Sequence, residues 1–367
     1  MIPAHKTGPH QPSPARAQPA EQDSAPSSGP GPAPAARRDV GIDDVRALMA
    51  TACTLAGVPG PGIDRVVEHY LDGELRGKAS HGLAKFAFES QFFSHRIGSP
   101  RVKHERGAMA VVDGRREVGP LSADFAVRLA IHKARRLGVG VVGMVNSQRY
   151  GILASFSEQI AERGLVGLVA NTSRPEATVH GSRTPFLGVN PVSFAFPTSD
   201  GTVSADMSTT LAPMGVLWEA RRAGSPLPTD CFVDEDGAFT DDPDAARAAM
   251  VFGEHRGFAL SLLIQILTGS LFGFPMGEGV DSTWTTGYTF IALDPTFAGQ
   301  GAGHRAANDD LVGAIRQAAT REGGSVRLPG QEGKDRAARA LKTGRLALDE
   351  ALYQRLQARA AGDFTSD

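Results

Sequence analysis

Cysteine is almost missing from this sequence: Cys53 and Cys231 are the two in 367 residues, and they form no Cys-x-x-Cys pair. That argues against a disulfide framework and a thiolate zinc site, and a reducing, cytoplasmic setting is expected. No two of the ten histidines lie three or four residues apart, so a helical His pair for a metal is lacking and no metal is expected. Long apolar runs are lacking too. Stretches such as Phe258 to Phe272 are interrupted by Ser, Gln, Thr and Gly and fall short of a bilayer span. The first residues show no basic stretch followed by an apolar run, so no secretory signal is expected. Charge of one sign is not in excess: 38 Lys and Arg face 40 Asp and Glu, spread along the chain. Neither nucleic acid nor a membrane surface is an expected partner. Three catalytic signatures are also absent, namely G-x-x-x-x-G-K-[ST], H-E-x-x-H and G-x-S-x-G.

What is present is the make-up of a globular protein, 41% hydrophobic and 21% charged, with length enough for two domains. Residues 1 to 38 are rich in Pro, Ala, Ser and Gln and read as a disordered tail that cannot offset its ordering entropy. Order is expected from about Val40, where Asp43 or Asp44 can cap a helix carrying Val45, Leu48, Met49 and Ala52 on one face. A Pro/Gly turn follows, and then a second helix with Ile63, Val66, Val67, Tyr70 and Leu71 at helical spacing. The start of the chain therefore reads as a helical lobe.

Further on, a helix from Ser122 to Arg136 leads into the apolar run Val139 to Val145. Another helix reaches about Arg163, before a second run from Leu165 to Ala170. Alternation of this kind predicts an α/β lobe. Val192 to Phe196, Val203 to Met207 and Thr289 to Leu293 are further strand candidates, a long helix follows Arg256, and the last 25 residues read as helical.

Gly138-Val139-Gly140-Val141-Val142-Gly143 matches the dinucleotide fingerprint G-x-G-x-x-G. The fingerprint works when its glycines turn from a strand into a helix whose amides hold a pyrophosphate. Here the glycines follow a helix and lie inside the apolar run, and Met144 and Val145 continue it. A Gly-rich buried strand is the better reading.

Several segments, in order, resemble the malate/L-lactate dehydrogenase family, which includes ureidoglycolate dehydrogenase, diketogulonate reductase and the cyclic-imine carboxylate reductase acting on Δ1-piperideine-2-carboxylate. Leu75-Arg76-Gly77 with Ser80-His81-Gly82 resembles its L-R-G-x-x-S-H-G signature, and Asn146-Ser147-Gln148-Arg149-Tyr150-Gly151 is similar to its N-S-x-H-F-G loop. Asn171-Thr172-Ser173, Gly181-Ser182-Arg183 and Leu187 to Pro191 look like its T-N-S … G-G-R … L-G-T-N-P block. Asp206 to Thr210, Arg256-Gly257-Phe258 and Leu328-Pro329-Gly330-Gln331-Glu332 resemble three later family segments. The resemblance covers roughly residues 39 to 362.

It implies a non-Rossmann α/β fold that binds NADH or NADPH and works as a homodimer. One discontinuous lobe would come from residues 39–118 and 300–362, around a central cofactor-binding lobe of 119–299. It also implies an oxidoreductase acting on a small molecule. Hydride transfer to a carbonyl or imine calls for a nearby acid, and His81 is the first candidate; a structural histidine beside Gly82 is the bland alternative.

Arg149 stands where other members are assigned a general acid/base histidine. An arginine cannot take a proton from an alcohol, but it can bind a carboxylate or steady an oxyanion. A reductase of a small 2-oxo or cyclic 2-imino acid is thus expected, and a catalytically silent or non-redox homologue stays open. His180 is a conceivable substitute for the lost histidine. Ser80, Lys85 and Arg183 are the expected substrate-binding residues. Asn171, Thr172, Ser173, His255, Arg256, Gly330, Gln331 and Glu332 are expected around the cofactor, and Asp206 is left outside the catalytic set.

Overall fold

A computed structural model describes residues 37–182, 184–320 and 324–365. Arg183 and the greater part of the expected tail, residues 1–36, lie outside the described residues.

The chain opens with β1 (Arg37–Gly41), α1 (Ile42–Leu55), α2 (Ile63–Leu75) and α3 (Leu83–Glu89). A hairpin of β2 (Arg101–Arg106) and β3 (Met109–Asp113) precedes α4 (Gly119–Leu137), β4 (Val139–Val145), α5 (Ala154–Ala161) and β5 (Val166–Asn171). Two short strands follow, β6 (Ala177–Thr178) and β7 (Pro185–Leu187), then β8 (Val192–Thr198) and β9 (Gly201–Met207). Next come α6 (Met214–Ala223), β10 (Phe232–Val233), β11 (Ala248–Ala249), α7 (His255–Thr268) and β12 (Tyr288–Leu293). The chain closes with α8 (Gly301–Gln317), α9 (Gln331–Thr343), β13 (Arg345–Asp349) and α10 (Glu350–Ala360).

The predicted face of α1 is the buried one: Val45, Met49 and Ala52 meet Val66, Val67, Tyr70 and Leu71 of α2 and Leu352 and Leu356 of α10 in a single core. Each large side chain so buried contributes roughly 1.5–3 kcal/mol. Neither Asp43 nor Asp44 caps α1. β1 runs straight into the helix with Gly41 at its N-cap, and the Ile42 amide donates to the Gly344 carbonyl at 2.9 Å. The two aspartates sit in the first turn, where the helix dipole favours negative charge. Strand structure is already present at Arg37, before Val40, because β1 pairs antiparallel with β13. The closing residues are accordingly not all helical.

The main sheet has the order β2-β3-β4-β12-β5-β8-β9. β3 and β4 are parallel, and every other neighbouring pair is antiparallel. β3, β4 and β5 run the same way and are linked through α4 and α5, as helix–strand alternation predicts, but β12 inserts antiparallel between β4 and β5. A second sheet has the order β10-β11-β6-β7.

The glycines at 138–143 serve packing. Gly138 is the left-handed cap of α4 (φ 82°), and β4 begins at the next residue. A Cβ on Gly140 would lie 2.0 Å from the Ala130 carbonyl of α4, and one on Gly143 would lie 2.4 Å from the Phe272 ring. Small residues here let a helix and a ring lie directly on the strand.

Candidate active site

A cleft of about 560 Å³ opens where the turn before α3, the loop after β4, the end of β5 and the start of α6 meet. Its lining includes Ser80, His81, Lys85, Arg149, Asn171, Thr172 and Ser173.

His81 ends a short 3-10 turn, Ala79–His81, in which its amide donates to the Lys78 carbonyl at 2.8 Å. Three glycines crowd this turn. A Cβ on Gly73 or Gly151 would press on the His81 carbonyl at 2.8 and 2.4 Å, and one on Gly82 would meet the Glu74 amide nitrogen at 2.6 Å. The imidazole Nδ1 is 2.9 Å from the Ser80 hydroxyl. Burial first, and then the charges of Lys85 and Lys78, lower His81 to about 4, so the ring is neutral at pH 7. Lys85 is ion-paired with Glu89 at 2.8 Å, one turn along α3.

Arg149 sits on a loop held from several sides. Gln148 donates from Nε2 to the Phe92 and Arg116 carbonyls at 2.8 and 2.9 Å. The Gly151 amide donates to His69 Nε2 at 2.8 Å, and burial pushes that buried histidine down to about 3. Gly119 is required beneath the loop, since a Cβ there would overlap the Arg149 carbonyl at 2.0 Å. Among the described residues the Arg149 guanidinium carries no hydrogen bond or ion pair, while its charge acts on Glu176 and Tyr288. Sequence reasoning missed Glu176. It lies in an irregular stretch after β5 with no period to mark it, yet it lines the same cleft together with Arg174, Trp218 and Tyr288.

At the end of β5, Asn171 Nδ2 donates to the Thr172 carbonyl at 2.8 Å, and its Oδ1 accepts from the Tyr150 hydroxyl at 3.3 Å. The buried Thr172 hydroxyl accepts from the Gly287 amide at 2.9 Å and is spent on structure; Ser173 is half-exposed at the cleft, where its hydroxyl accepts from the Val189 amide at 3.0 Å. Asp206, also on the cleft wall, accepts from the Ala154 amide at 2.9 Å, and burial raises its carboxyl.

The remaining expected residues are elsewhere. His255 and Arg256 open α7, exposed, with His255 edge-on to His180 at 6.2 Å between ring centroids. Gly330, Gln331 and Glu332 open α9 against β9. A Cβ on Gly330 would meet the Ser204 carbonyl at 2.5 Å, the Gln331 Oε1 accepts from the Leu328 amide at 3.1 Å, and Glu332 pairs with Arg327 in solvent at 3.1 Å. None of these five lines the cleft, nor does His180. Among the described residues no group of three His, Cys, Asp or Glu could hold a metal ion, and no helix is long and apolar enough to cross a membrane.

The pattern of the malate/L-lactate dehydrogenase family matches residues 40–357, and the chain belongs to that family. It is similar to the L-sulfolactate dehydrogenase of Methanothermobacter thermautotrophicus, 32% identical over 84% of this chain and 92% of that one. It is also similar to the (2R)-3-sulfolactate dehydrogenase (NADP(+)) of Chromohalobacter salexigens, at 30% identity over 88% and 98%. The solved structure of sulfolactate dehydrogenase from Methanocaldococcus jannaschii superposes with a TM-score of 0.80, at 26% identity over 88% of this chain and 97% of that one. The protein is thus a nicotinamide-dependent oxidoreductase with the family's non-Rossmann α/β fold.

Proposed function

We propose that the protein uses NADH or NADPH to reduce a small 2-oxo or cyclic 2-imino acid in the cleft between His81 and Arg149. The observation that carries this reading is the convergence of a neutral imidazole, two cationic side chains (Lys85 and Arg149) and the β5 end on one cleft of about 560 Å³. The donor set fits a nicotinamide nucleotide. Among the described residues the Tyr288 hydroxyl lies buried at the cleft without a partner, on the strand position that pairs with Asn171, and Ser173 lines the same cleft; side chains of these types suit a carboxamide and a ribose. When bound, the reduced nicotinamide supplies a hydride.

The chain's own groups do the rest. Arg149 and Lys85 hold the substrate carboxylate, Arg149 as a fork and Lys85 as a point charge. Ser80 fixes the His81 ring, and a carboxylate beside Lys85 offsets the lysine charge that adds to burial in keeping His81 unprotonated. His81 then exchanges the proton with the reacting heteroatom. Arg149 cannot accept a proton, which favours reduction over alcohol oxidation. His255, Arg256 and the Gly330–Glu332 segment lie off the cleft wall, so any cofactor contact of theirs falls on its outer portion.

We read the two chain ends as one lobe and the main sheet as the centre of the other, with β2 and β3 in that sheet and α8 packed on β8. Homodimerisation is supported by the inverted polarity of α7. Its buried side is Ser261, Gln265 and Thr268 with Ile264, and the first two bond Asn190, while Leu262, Leu263 and Ile266 are 45%, 52% and 43% exposed. Apolar side chains pointing away from their own subunit mark a face covered by a second copy. Two free cysteines and the absence of a spanning helix among the described residues are consistent with a cytoplasmic enzyme.

The test is nucleotide oxidation followed against a panel of 2-oxo acids and cyclic imines. Turnover of any member by purified protein supports the reading. Folded protein that binds nucleotide yet turns over none of them overturns the substrate class, and failure to bind either nucleotide overturns the whole assignment.

A further inference from the structure

We propose that Glu176 is the specificity-determining residue of this cleft, the counter-ion for a C=N⁺–H group, so that the enzyme prefers cyclic 2-imino acids to 2-oxo acids. The proposal rests on the reading above that this cleft takes the substrate.

Glu176 is placed by its backbone. Its amide donates to the Leu187 carbonyl at 3.0 Å, and its carbonyl accepts from the Ala249 amide at 2.8 Å, so neighbouring strands on both sides fix where the side chain starts. The carboxyl lines the cleft, and among the described residues it has no hydrogen bond and no ion pair. Arg149, Arg174 and Lys85 all lie near enough to act on it electrostatically, yet none is paired with it. The same residue type in a structural role would be tied to one of these cations or to a backbone amide, as Glu158 is to Arg76 at 2.7 Å. Burial raises the Glu176 carboxyl and the three cations oppose that; one more positive charge in the cleft favours the ionised form further.

The chemistry points the same way. In a protonated imine the reacting nitrogen already carries its proton. Hydride adds to C2, the C=N π pair moves onto nitrogen, the nicotinamide ends oxidised, and the product is a neutral secondary amine; no acid is consumed in the step. A 2-oxo acid given the same hydride becomes an alkoxide and needs a proton. Arg149 cannot provide it, and His81, lowered to about 4, has to be protonated first. The arginine in the loop is therefore less of a handicap for an iminium than for a ketone. A dianionic 2-oxo acid fares worse still, because its second anionic group meets Glu176 with like charge.

The experiment compares kcat/KM for three compounds: Δ1-piperideine-2-carboxylate, the straight-chain 2-oxo acid of equal carbon number, and oxaloacetate. The wild type is expected to favour the imine at least tenfold over either ketone. Glu176→Gln is expected to shift the imine-to-ketone ratio at least tenfold toward the ketones, and Glu176→Asp less than that. Fluorescence quenching by nucleotide verifies that each variant is folded. Wild-type preference for oxaloacetate, or a Glu176→Gln variant that changes both substrate types equally, overturns the role of Glu176 while leaving the reductase intact. Absence of turnover with all three compounds overturns the underlying substrate reading, and the proposal with it.

Discussion

The two walls of the cleft are built on different terms. On the wall from α3 and its preceding turn, the groups next to the reacting centre already have partners inside the protein, Ser80 with His81 at 2.9 Å and Lys85 with Glu89 at 2.8 Å, while Lys78 is exposed at the cleft. On the wall from the 146–151 loop and the segment after β5, Arg149 and Glu176 carry charges that no described residue pairs, although the backbone beneath them is firmly held. The first wall is preorganised and does the same work whatever enters. The second is rigid in backbone and open in charge, which is the arrangement that discriminates between ligands.

Each prediction probes that contrast, and the largest effect belongs to the paired wall. His81→Ala should lower kcat by about 10²–10⁴-fold while nucleotide binding persists, as steady-state rates and a fluorescence titration would show. A variant with near-wild-type kcat would remove His81 from proton exchange. Glu89→Gln comes next. Both side chains of the Lys85–Glu89 pair are largely buried, at 13% and 3% exposure, so leaving Lys85 without its carboxylate should cost about 3 kcal/mol in urea unfolding. A loss below about 1 kcal/mol would mean that solvent already screens the pair.

Arg149→His tests the open wall. A titratable imidazole there should raise 2-hydroxy-acid oxidation at alkaline pH by about tenfold, a modest share of what general-base catalysis can give. Unchanged oxidation would show that Arg149 does not set the direction. A further effect is on stability in acid. His69 and His81 titrate at about 3 and about 4 in the folded protein against 6.5 unfolded, so below pH 6.5 the unfolded chain binds more protons. Stability present above pH 6.5 should be lost progressively as pH falls through those folded values, and His69→Gln should flatten the slope of melting temperature against pH.

The sequence made local features legible where a short-range period existed. α1 and α2 followed from their apolar spacing, and β4 and β5 from short runs of apolar residues. The decision against a Rossmann turn at Gly138 rested on order along the chain, helix before glycine, and β4 begins at Val139. What could not be read depended on distant partners. β1 and β13 are 5 residues each and exist through pairing between the chain ends, and β12 finds its place between β4 and β5. Motif order brought His81, Arg149 and Asn171–Ser173 to one cleft because each lies where a helix or strand begins or ends. The His255–Arg256 and Gly330–Glu332 segments bear equally plausible motifs, yet they open helices whose first residues are not part of the cleft lining. Glu176 belonged to no motif, and only the strands that hold its backbone give it a position.

The central claim is that this cleft takes a nicotinamide nucleotide, and Trp218 gives the most direct view of it. Trp218 lines the cleft and is 42% exposed, while the protein's other tryptophan, Trp284, stacks on Arg116 at 4.7 Å. In a Trp284→Phe variant, titration with NADH and with NADPH should quench Trp218 emission saturably for at least one of them, with energy transfer to the nicotinamide. Unquenched emission across the titration, in protein shown to be folded, would contradict the account.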